Sequence, residues 1–251
     1  MQPRISIITV TYNAANCLEA TIASILNQSY TNIEYIIIDG GSTDGTLEII
    51  KRYASRLTYW ISEPDKGLYD AMNKGIKQAT GDYLWFMNAG DTIHTTDTIQ
   101  QLANTLSDKT ALPGVIYGET AIVDGNGTFI GMRRLKAPEK LTWKDFNKGM
   151  LVCHQSFLAK KELAPLYDLQ YKLVADFDWC IQCLKKSDRN HNTHLILSNF
   201  ADEGLSSKNR KASLKERYHI MCKYYGKVPT NLWHIWFAIR FYTAKWIKRR
   251  V

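Results

Sequence analysis

Two patterns alternate along residues 1–100. Short runs that are apolar almost throughout, RISIITVTY (4–12), IEYIIID (33–39), LTYWIS (57–62) and DYLWFMN (82–88), are separated by windows whose apolar residues recur at helical spacing. One window puts Leu18, Ile22, Ile25 and Leu26 on a common face; a second is GTLEIIKRYA (45–54); a third centres on Ala71, Met72, Ile76 and Ala79. A strand that faces water on one side alternates apolar and polar residues, whereas one covered on both faces is apolar throughout. The pattern therefore predicts an α/β fold with a parallel sheet covered by helices on both faces. Ligands in such sheets bind beyond the carboxyl ends of the strands, and Asp39 and Asp91 fall at that edge.

The pattern loosens after about Ser107. GVIYGETAIVDGNGTFIGMRR (114–134) predicts a β-hairpin that turns at Asp124, Gly125, Asn126 and Gly127. Helical segments at 143–148, 160–164 and 176–185 follow, then a strand HLILSNF (194–200), a loop ADEGLSSKNRK (201–211) and two last helices. Neither an internal repeat nor a low-complexity linker interrupts the chain. One globular domain over 1–207, with halves at about 1–110 and 111–207, plus a helical extension over 208–251, is the economical organisation.

Composition sharpens this picture at two points. With 251 residues, 45% of them hydrophobic, and seven Trp, the chain can bury a substantial core, and disorder is excluded. The five cysteines are odd in number and scattered, and no secretory leader pattern follows Met1, so a reducing cytosol is expected. Cys180 and Cys183 form a CxxC, but on a helical pattern without a second metal pair, which points to core packing. The formal net charge is +8, and its location matters more than its size. From Lys208 onward twelve Lys or Arg face the single acid Glu216, a balance of +11 that leaves −3 for the preceding residues.

The chain lacks GxGxxG, and GGSTDGT (40–46) lacks the lysine of a phosphate-binding P-loop. What remains is acidic: Asp39, Asp44, Asp65, Asp70, Asp91, Asp176 and Asp178 lie at strand ends, in turns or in a first helical turn. Each alone reads as a cap or turn residue, and Asp44 ahead of the second helix is an N-cap candidate. WFMNAGD (85–91) stands out as a buried strand that stops at a small polar turn ending in one carboxylate.

The order of motifs is more specific than any one of them. PRISIITVTYN, IEYIIIDGGSTDGT, EPDKGLYDAMNKGIKQATGDYLWFMNAGD and LVADFDWCIQCLK resemble, in order and spacing, the family 2 glycosyltransferases of the GT-A fold, from about Pro3 to Lys185. That resemblance implies a GT-A type, mostly parallel nucleotide-binding sheet, a nucleotide-sugar half (1–110) and an acceptor half (111–207). It also implies an inverting transfer of a hexosyl or N-acetylhexosaminyl group from a nucleotide-sugar, most often a UDP-sugar. Asp39 corresponds to the carboxylate that accepts a hydrogen bond from the base, and Thr11, Tyr12 and Asn13 to the nucleoside pocket. A carboxylate cannot donate, so it suits an imide N–H; the other reading of Asp39 is a cap on its own turn. Lys66 and Asn73 correspond to groups near the phosphates or sugar, and Gly67 permits close backbone approach. Gly75 and Ala79 suit tight helix-to-sheet packing.

Asn88, Ala89, Gly90 and Asp91 occupy the place of the family's DxD motif, which holds Mg²⁺ or Mn²⁺ on the donor's diphosphate. Asn88 and Gly90 replace two carboxylates, so Asp91 remains as the metal ligand and weaker metal binding is expected. Inversion needs a base on the acceptor hydroxyl. VADFDW (174–179) aligns Asp176 with that base; Ala175 replaces the preceding acid, and Asp178 is the rival, the remaining one being free to cap the helix. His154, in CHQSF (153–157), resembles an acceptor-side element, and its alternative is a satisfied structural histidine.

The tail NLWHIWFAIRFYTAKWIKRR (231–250) puts Trp233, Trp236, Phe237, Arg240, Phe241, Ala244 and Ile247 at helical spacing. Arg240 and Lys245 interrupt a run already shorter than the ~20 apolar residues of a spanning helix. An interfacial helix on the inner membrane surface is expected, with packing on protein as the alternative. Nucleic acid is excluded because the charge is confined to the tail and no recognised binding module accompanies it. The expectation is thus a cytoplasmic, peripherally membrane-bound glycosyltransferase that adds one sugar to a glycan or lipid-linked acceptor in surface-polysaccharide synthesis. The processive signature QxxRW is absent after Asp178. A catalytically silent nucleotide-sugar or glycan-binding subunit is the alternative, and a nucleotidyltransferase is disfavoured by the missing Gly-rich loop between Val10 and Cys17.

Overall fold

Strands β1 (Ile5–Thr11), β2 (Ile33–Asp39), β3 (Tyr59–Ser62) and β4 (Tyr83–Phe86) lie parallel in the order β3-β2-β1-β4 in a computed structural model of the chain. The structure describes residues 2–107, 111–201 and 209–248, without the side chains of Ala238, Arg240 and 241–248. Helices α1 (Leu18–Leu26), α2 (Thr46–Tyr53) and α3 (Leu68–Gln78) connect the four strands. Every residue of β1 is buried, because successive side chains feed two separate cores. Ile8 and Val10 pack with Ile36, Ile38 and Phe86 against Met72 and Ile76 of α3. Ile5 and Ile7 pack with Ile37 and Trp85 against Leu18, Ile22 and Ile25 of α1 and Ile50 of α2. The unbroken apolar runs in the sequence are the signature of this two-sided burial. A Cβ at Gly75 would stand 2.4 Å from Ile8 Cγ2, so the absence of a side chain there lets α3 lie close on β1.

The parallel character ends at β4. Beyond it the sheet continues through β8 (Phe157–Lys160), β6 (Val115–Val123), β9 (Asn190–Ala201) and β5 (Thr92–Ile93), with β7 (Phe129–Met132) paired to β6. β8 runs antiparallel to both β4 and β6, while β6 and β9 are parallel. The hairpin expected around Asp124 is β6 and β7, joined antiparallel. Helix α4 (Thr98–Asn104) packs on the same core as α1, and α5 (Ala175–Lys186) on the same core as α3. Cys180 and Cys183 of α5 are free thiols, fully buried in that core. The segments at 143–148 and 160–164 are short 3₁₀ helices, Trp143–Lys148 and Lys161–Leu163, the first begun by a reciprocal capping box between Thr142 and Asp145.

Helices α6 (Arg210–Tyr225) and α7 (Lys227–Lys248) end the described chain. The expected boundary at residue 207 lies outside the described residues, but α6 itself is built into the domain. Ile220 and Met221 are fully buried in the core that holds α5, and Tyr225 stacks on Trp143 with ring centroids 5.7 Å apart. The tail read from sequence as one extension is therefore two different objects. In α7 the expected single aromatic face is divided as well: Trp233 and Phe237 turn inward against the core, whereas Val228, Leu232, Ile235, Trp236 and Ile239 are exposed. Among the described residues no helix is long and apolar enough to cross a membrane.

Candidate active site

The carboxyl edge of the parallel strands gathers the N-terminal candidates. Thr11 and Asp39 are partners across the β1–β2 ladder, each the last residue of its strand. Asp39 is fully buried and accepts the N–H groups of Gly41 (3.2 Å) and Ser42 (3.0 Å) and the hydroxyls of Ser42 and Ser62 (2.6 Å). Asn13, held at φ +48°, donates its N–H to Ser42 Oγ (2.8 Å) and accepts that of Thr43 (2.9 Å). Asp44 accepts the N–H of Thr46 at the start of α2, one residue earlier than an N-cap, and that of Ala15 in the neighbouring loop. The β1–α1 and β2–α2 loops are thereby stitched together into one rim. Gly40 lies beneath Asp65, whose Oδ2 would stand 2.4 Å from any Cβ there, and beside the exposed ring of Tyr12. Thr11 Oγ1 is buried and has no hydrogen-bond partner among the described residues.

Next along this edge comes the start of α3. Gly67, at φ +112°, gives its N–H to Asp65 Oδ1 (2.7 Å), and Lys66 gives its own to Asp70 Oδ2 (3.0 Å), which leaves both residues exposed. Asn73 does not join them. Both ends of its amide are engaged by the Tyr167 backbone, Nδ2 to the carbonyl at 3.0 Å and Oδ1 from the N–H at 2.7 Å, so it fixes Tyr167 in place instead of facing a ligand.

After β4 the chain makes the tight turn that the sequence singled out. Ala89 donates its N–H to Val10 (3.3 Å), Gly90 at φ +100° donates to Thr21 Oγ1 (3.0 Å), and Asp91 N–H closes the turn on Asn88 O (3.0 Å). Asp91 is only 6% exposed. Its Oδ2 accepts from Gln155 Nε2 (2.8 Å) and its Oδ1 from the N–H of Ala201 (3.2 Å). Burial raises its pKa to about 7, against the two hydrogen bonds that favour the anion. Asn88 Oδ1 is buried and has no partner among the described residues. Among the described residues no three His, Cys, Asp or Glu side chains converge on a point. Asp91 and the Asn88 amide oxygen are nevertheless hard donors that fit a divalent cation whose other positions are filled by phosphate oxygens and water.

Asp176 opens α5 and is partly buried. Its Oδ1 accepts the Tyr69 hydroxyl (3.2 Å) and the N–H of Phe177 (2.9 Å). The Tyr69 hydroxyl, its pKa raised well above the ordinary value by burial and then by Asp176, is held as a neutral donor. Gln155 joins Cys153 to Asp91, its Oε1 accepting from the Cys153 thiol (2.9 Å) while its Nε2 donates to the carboxylate; burial raises the thiol's pKa. His154 is a packed residue, 3% exposed, stacked on Phe86 at 5.1 Å and bonded through Nε2 to Tyr167 OH at 2.7 Å; burial lowers its pKa and keeps it neutral. Asp178 is also turned to structural use. It accepts from Gln182, from Lys223 Nζ at 3.0 Å and from Tyr224 OH at 2.9 Å, and so docks α6 on α5. Two groups escaped the sequence reading, Tyr69 and Arg217, the latter over the Phe177 ring at 5.5 Å. The signal for the second was its neighbour Glu216, the lone acid in the basic tail.

Residues 6–164 match the family described as Glycosyl transferase family 2. The chain is 30% identical over 209 residues to a PGL/p-HBAD biosynthesis glycosyltransferase of Mycobacterium bovis (strain BCG / Pasteur 1173P2), covering 80% of this chain and 78% of that protein. It is 27% identical over 234 residues to a Bacillus subtilis (strain 168) protein named as a teichuronic acid biosynthesis glycosyltransferase, TuaG, covering 88% of this chain and 91% of the other. Among solved structures, S. aureus TarS 1-349 in complex with UDP-GlcNAc aligns with a TM-score of 0.67 at 20% identity, over 87% of this chain. The chain spans 64% of that solved chain, and the likeness is one of fold, the GT-A type.

The Asp91 carboxyl supplies a test of this geometry. Because its folded pKa is about 7 and its ordinary value 3.8, the folded state keeps a proton that the unfolded chain has released across that window. Stability is therefore greatest below the lower value and falls as pH rises through the upper one, by on the order of 4 kcal/mol in all. Asp91→Asn should gain stability relative to wild type between pH 5 and pH 8 in urea denaturation. A difference between the two proteins that does not change with pH contradicts the burial of this group.

Proposed function

The chain belongs to glycosyl transferase family 2, and from that premise we propose that it moves one hexosyl or N-acetylhexosaminyl group, with inversion, from a UDP-sugar to a hydroxyl of a glycan or lipid-linked acceptor in cell-surface polysaccharide synthesis. Support for the donor comes from the UDP-GlcNAc bound by a protein of the same fold, and for the pathway from a relative named for teichuronic acid biosynthesis. The observation that carries the reading is the packing that brings both acids to the end of β4: Asp176 is bonded to Tyr69, whose ring stacks on Tyr167 beside Phe86, the last residue of β4, and Asp91 closes the turn that follows, with the Thr11 and Asn88 oxygens unpartnered among the described residues.

In this reading the rim built by Asn13, Asp39 and Ser42 holds the nucleoside, with Tyr12 beside it and the Thr11 hydroxyl facing inward. Lys66 and Gly67 lie toward the phosphates, where an exposed ammonium suits anionic oxygens and a residue without a side chain lets them approach closely. Asn88, Ala89, Gly90 and Asp91 form the floor under the diphosphate. A Mg²⁺ or Mn²⁺ ion held there by Asp91 and Asn88 would neutralise charge on the departing nucleotide diphosphate. Asp176 is the base. With Oδ1 fixed by Tyr69 and the Phe177 N–H, Oδ2 is left to take the proton of an acceptor hydroxyl, which is a poor nucleophile until that proton moves.

We also propose that α7 rests on the cytoplasmic face of the inner membrane. Its exposed residues Leu232, Ile235, Trp236 and Ile239 recur at i, i+3, i+4 and i+7, and Leu232 and Trp236 line an apolar recess with Pro229 and Trp233. The net +11 of the tail suits anionic headgroups.

Asp176→Asn should bind UDP-sugar as wild type does while losing about 10²–10⁴-fold in kcat for transfer. Turnover near wild type would remove Asp176 from the role of base. Slow release of nucleotide diphosphate from a donor panel separates this enzyme from a silent binding subunit, which releases none. For α7, replacing Leu232 and Trp236 with Ser should abolish co-flotation with anionic vesicles. Unchanged flotation would assign the exposed face to contacts with protein.

A further inference from the structure

Arg217 is the charged group of this neighbourhood that the reading above leaves without a task. Its position follows from the residue before it. Glu216 accepts the N–H groups of Lys172 (3.0 Å), Leu173 (2.9 Å) and Val174 (3.2 Å), the three residues that lead into α5. A carboxylate at this point also suits the positive end of the helix. Farther along α6, Lys223 and Tyr224 grip Asp178, so α6 is pinned to α5 at two places and cannot slide along it. The side chain that follows Glu216 is thereby delivered to the first turn of α5. There its guanidinium lies over Phe177, within electrostatic range of both Asp176 and Arg133.

The placement is unfavourable for the protein alone. Among the described residues Arg217 Nε is shut off from solvent and has no hydrogen-bond partner. A ring face attracts the cation but accepts none of the in-plane N–H groups. Burial and the like charge of Arg133 both push the guanidinium pKa down, and Asp176 opposes them. Arg133 is itself held in place through Nη1 on Leu151 O (3.1 Å) and Nη2 on Met150 O (2.6 Å), so the two cations are fixed independently. Two fixed cations, one with an unused buried donor, suit a planar or tetrahedral anion that takes up the free N–H and offsets the repulsion.

We propose that Arg217, backed by Arg133, forms an anion subsite beside Asp176 that binds a phosphate group of the reacting ligands. Two sources share this chemistry, the diphosphate of the donor and the phosphate of a lipid-linked acceptor. The proposal rests on the reading of the Asp176 neighbourhood as the transfer site, and goes beyond it by giving α6 a direct part in ligand binding.

Calorimetric titration of the full chain with UDP, with uridine and, at saturating UDP, with inorganic pyrophosphate would test it in wild type, Arg217→Gln and Arg217→Lys. The glutamine variant should lose tenfold or more in affinity for a phosphate probe, keep its affinity for uridine and melt no lower than wild type, and the lysine variant should recover part of the loss. A loss on UDP assigns the subsite to the donor diphosphate; a loss confined to pyrophosphate added on top of UDP assigns it to the acceptor side. Equal affinities in wild type and Arg217→Gln for both probes overturn the proposal. A loss that uridine shares overturns it too, since that marks damage to the fold. A wild-type chain that binds no UDP sinks the transferase reading itself, whereas wild-type binding with an unaffected Arg217→Gln sinks the subsite alone.

Discussion

One buried carboxylate ties the two halves of this molecule together. Asp91 ends the tight turn after β4, and its oxygens take hydrogen bonds from Gln155, just ahead of β8, and from Ala201, at the end of β9. Its backbone carbonyl accepts the Thr21 hydroxyl of α1. The parallel half and the mixed half of the sheet, already joined by the β4–β8 ladder, are thus also cross-linked by this side chain at the carboxyl edge of the parallel strands. The same interaction explains the raised pKa: joining the halves places the carboxyl where water does not reach, so the anion is held by two hydrogen bonds alone. The site is preorganised by the contact that makes Asp91 a reluctant anion.

The parallel half was legible because burial on both faces leaves an unmistakable trace. Ile5, Ile7, Ile8 and Val10 must all be apolar when they serve two cores, and glycine at position 75 follows from the contact of α3 with Ile8. Pairing beyond β4 was not legible. β8 inserts between β4 and β6 although β6 precedes it in the chain, and short strands with ordinary alternation carry no code for their neighbours. The candidate acids were found as strand ends and turns, but the direction of each side chain was not. Asn73, His154 and Asp178 are polar residues beside the site whose hydrogen bonds point into the scaffold, toward Tyr167 and α6. Sequence spacing alone cannot distinguish a polar side chain that faces a ligand from one that holds up the residue that does.

The C-terminal region shows how a composition signal can be right in sign and wrong in grouping. Twelve cations against one acid suggested a uniform basic appendage. In the structure the lone acid is the anchor: Glu216 gathers three backbone N–H groups at the entry to α5, and α6 becomes part of the wall behind Asp176. The apolar stripe on α7 is separate, outward-facing and built from different residues. Among the described residues six buried side-chain atoms lack partners: Thr11 Oγ1, Asn88 Oδ1 and Arg217 Nε, from β1, the turn after β4 and α6, and also Asn147 Oδ1, Asn190 Oδ1 and His234 Nε2. Buried polar groups are normally paired, and the first three, which come from segments far apart in sequence, are the ones the proposed ligands would complete.

The central claim is that Asp39, Asp91 and Asp176 border one cavity for an activated sugar. A crystal structure of the chain with a UDP-sugar and Mn²⁺ tests it most directly. The account predicts the uracil against the Asp39 rim, the diphosphate over Asn88 and Asp91, and the anomeric carbon facing Asp176. Nucleotide bound elsewhere, or a sugar pointing away from Asp176 with protein between them, would contradict it.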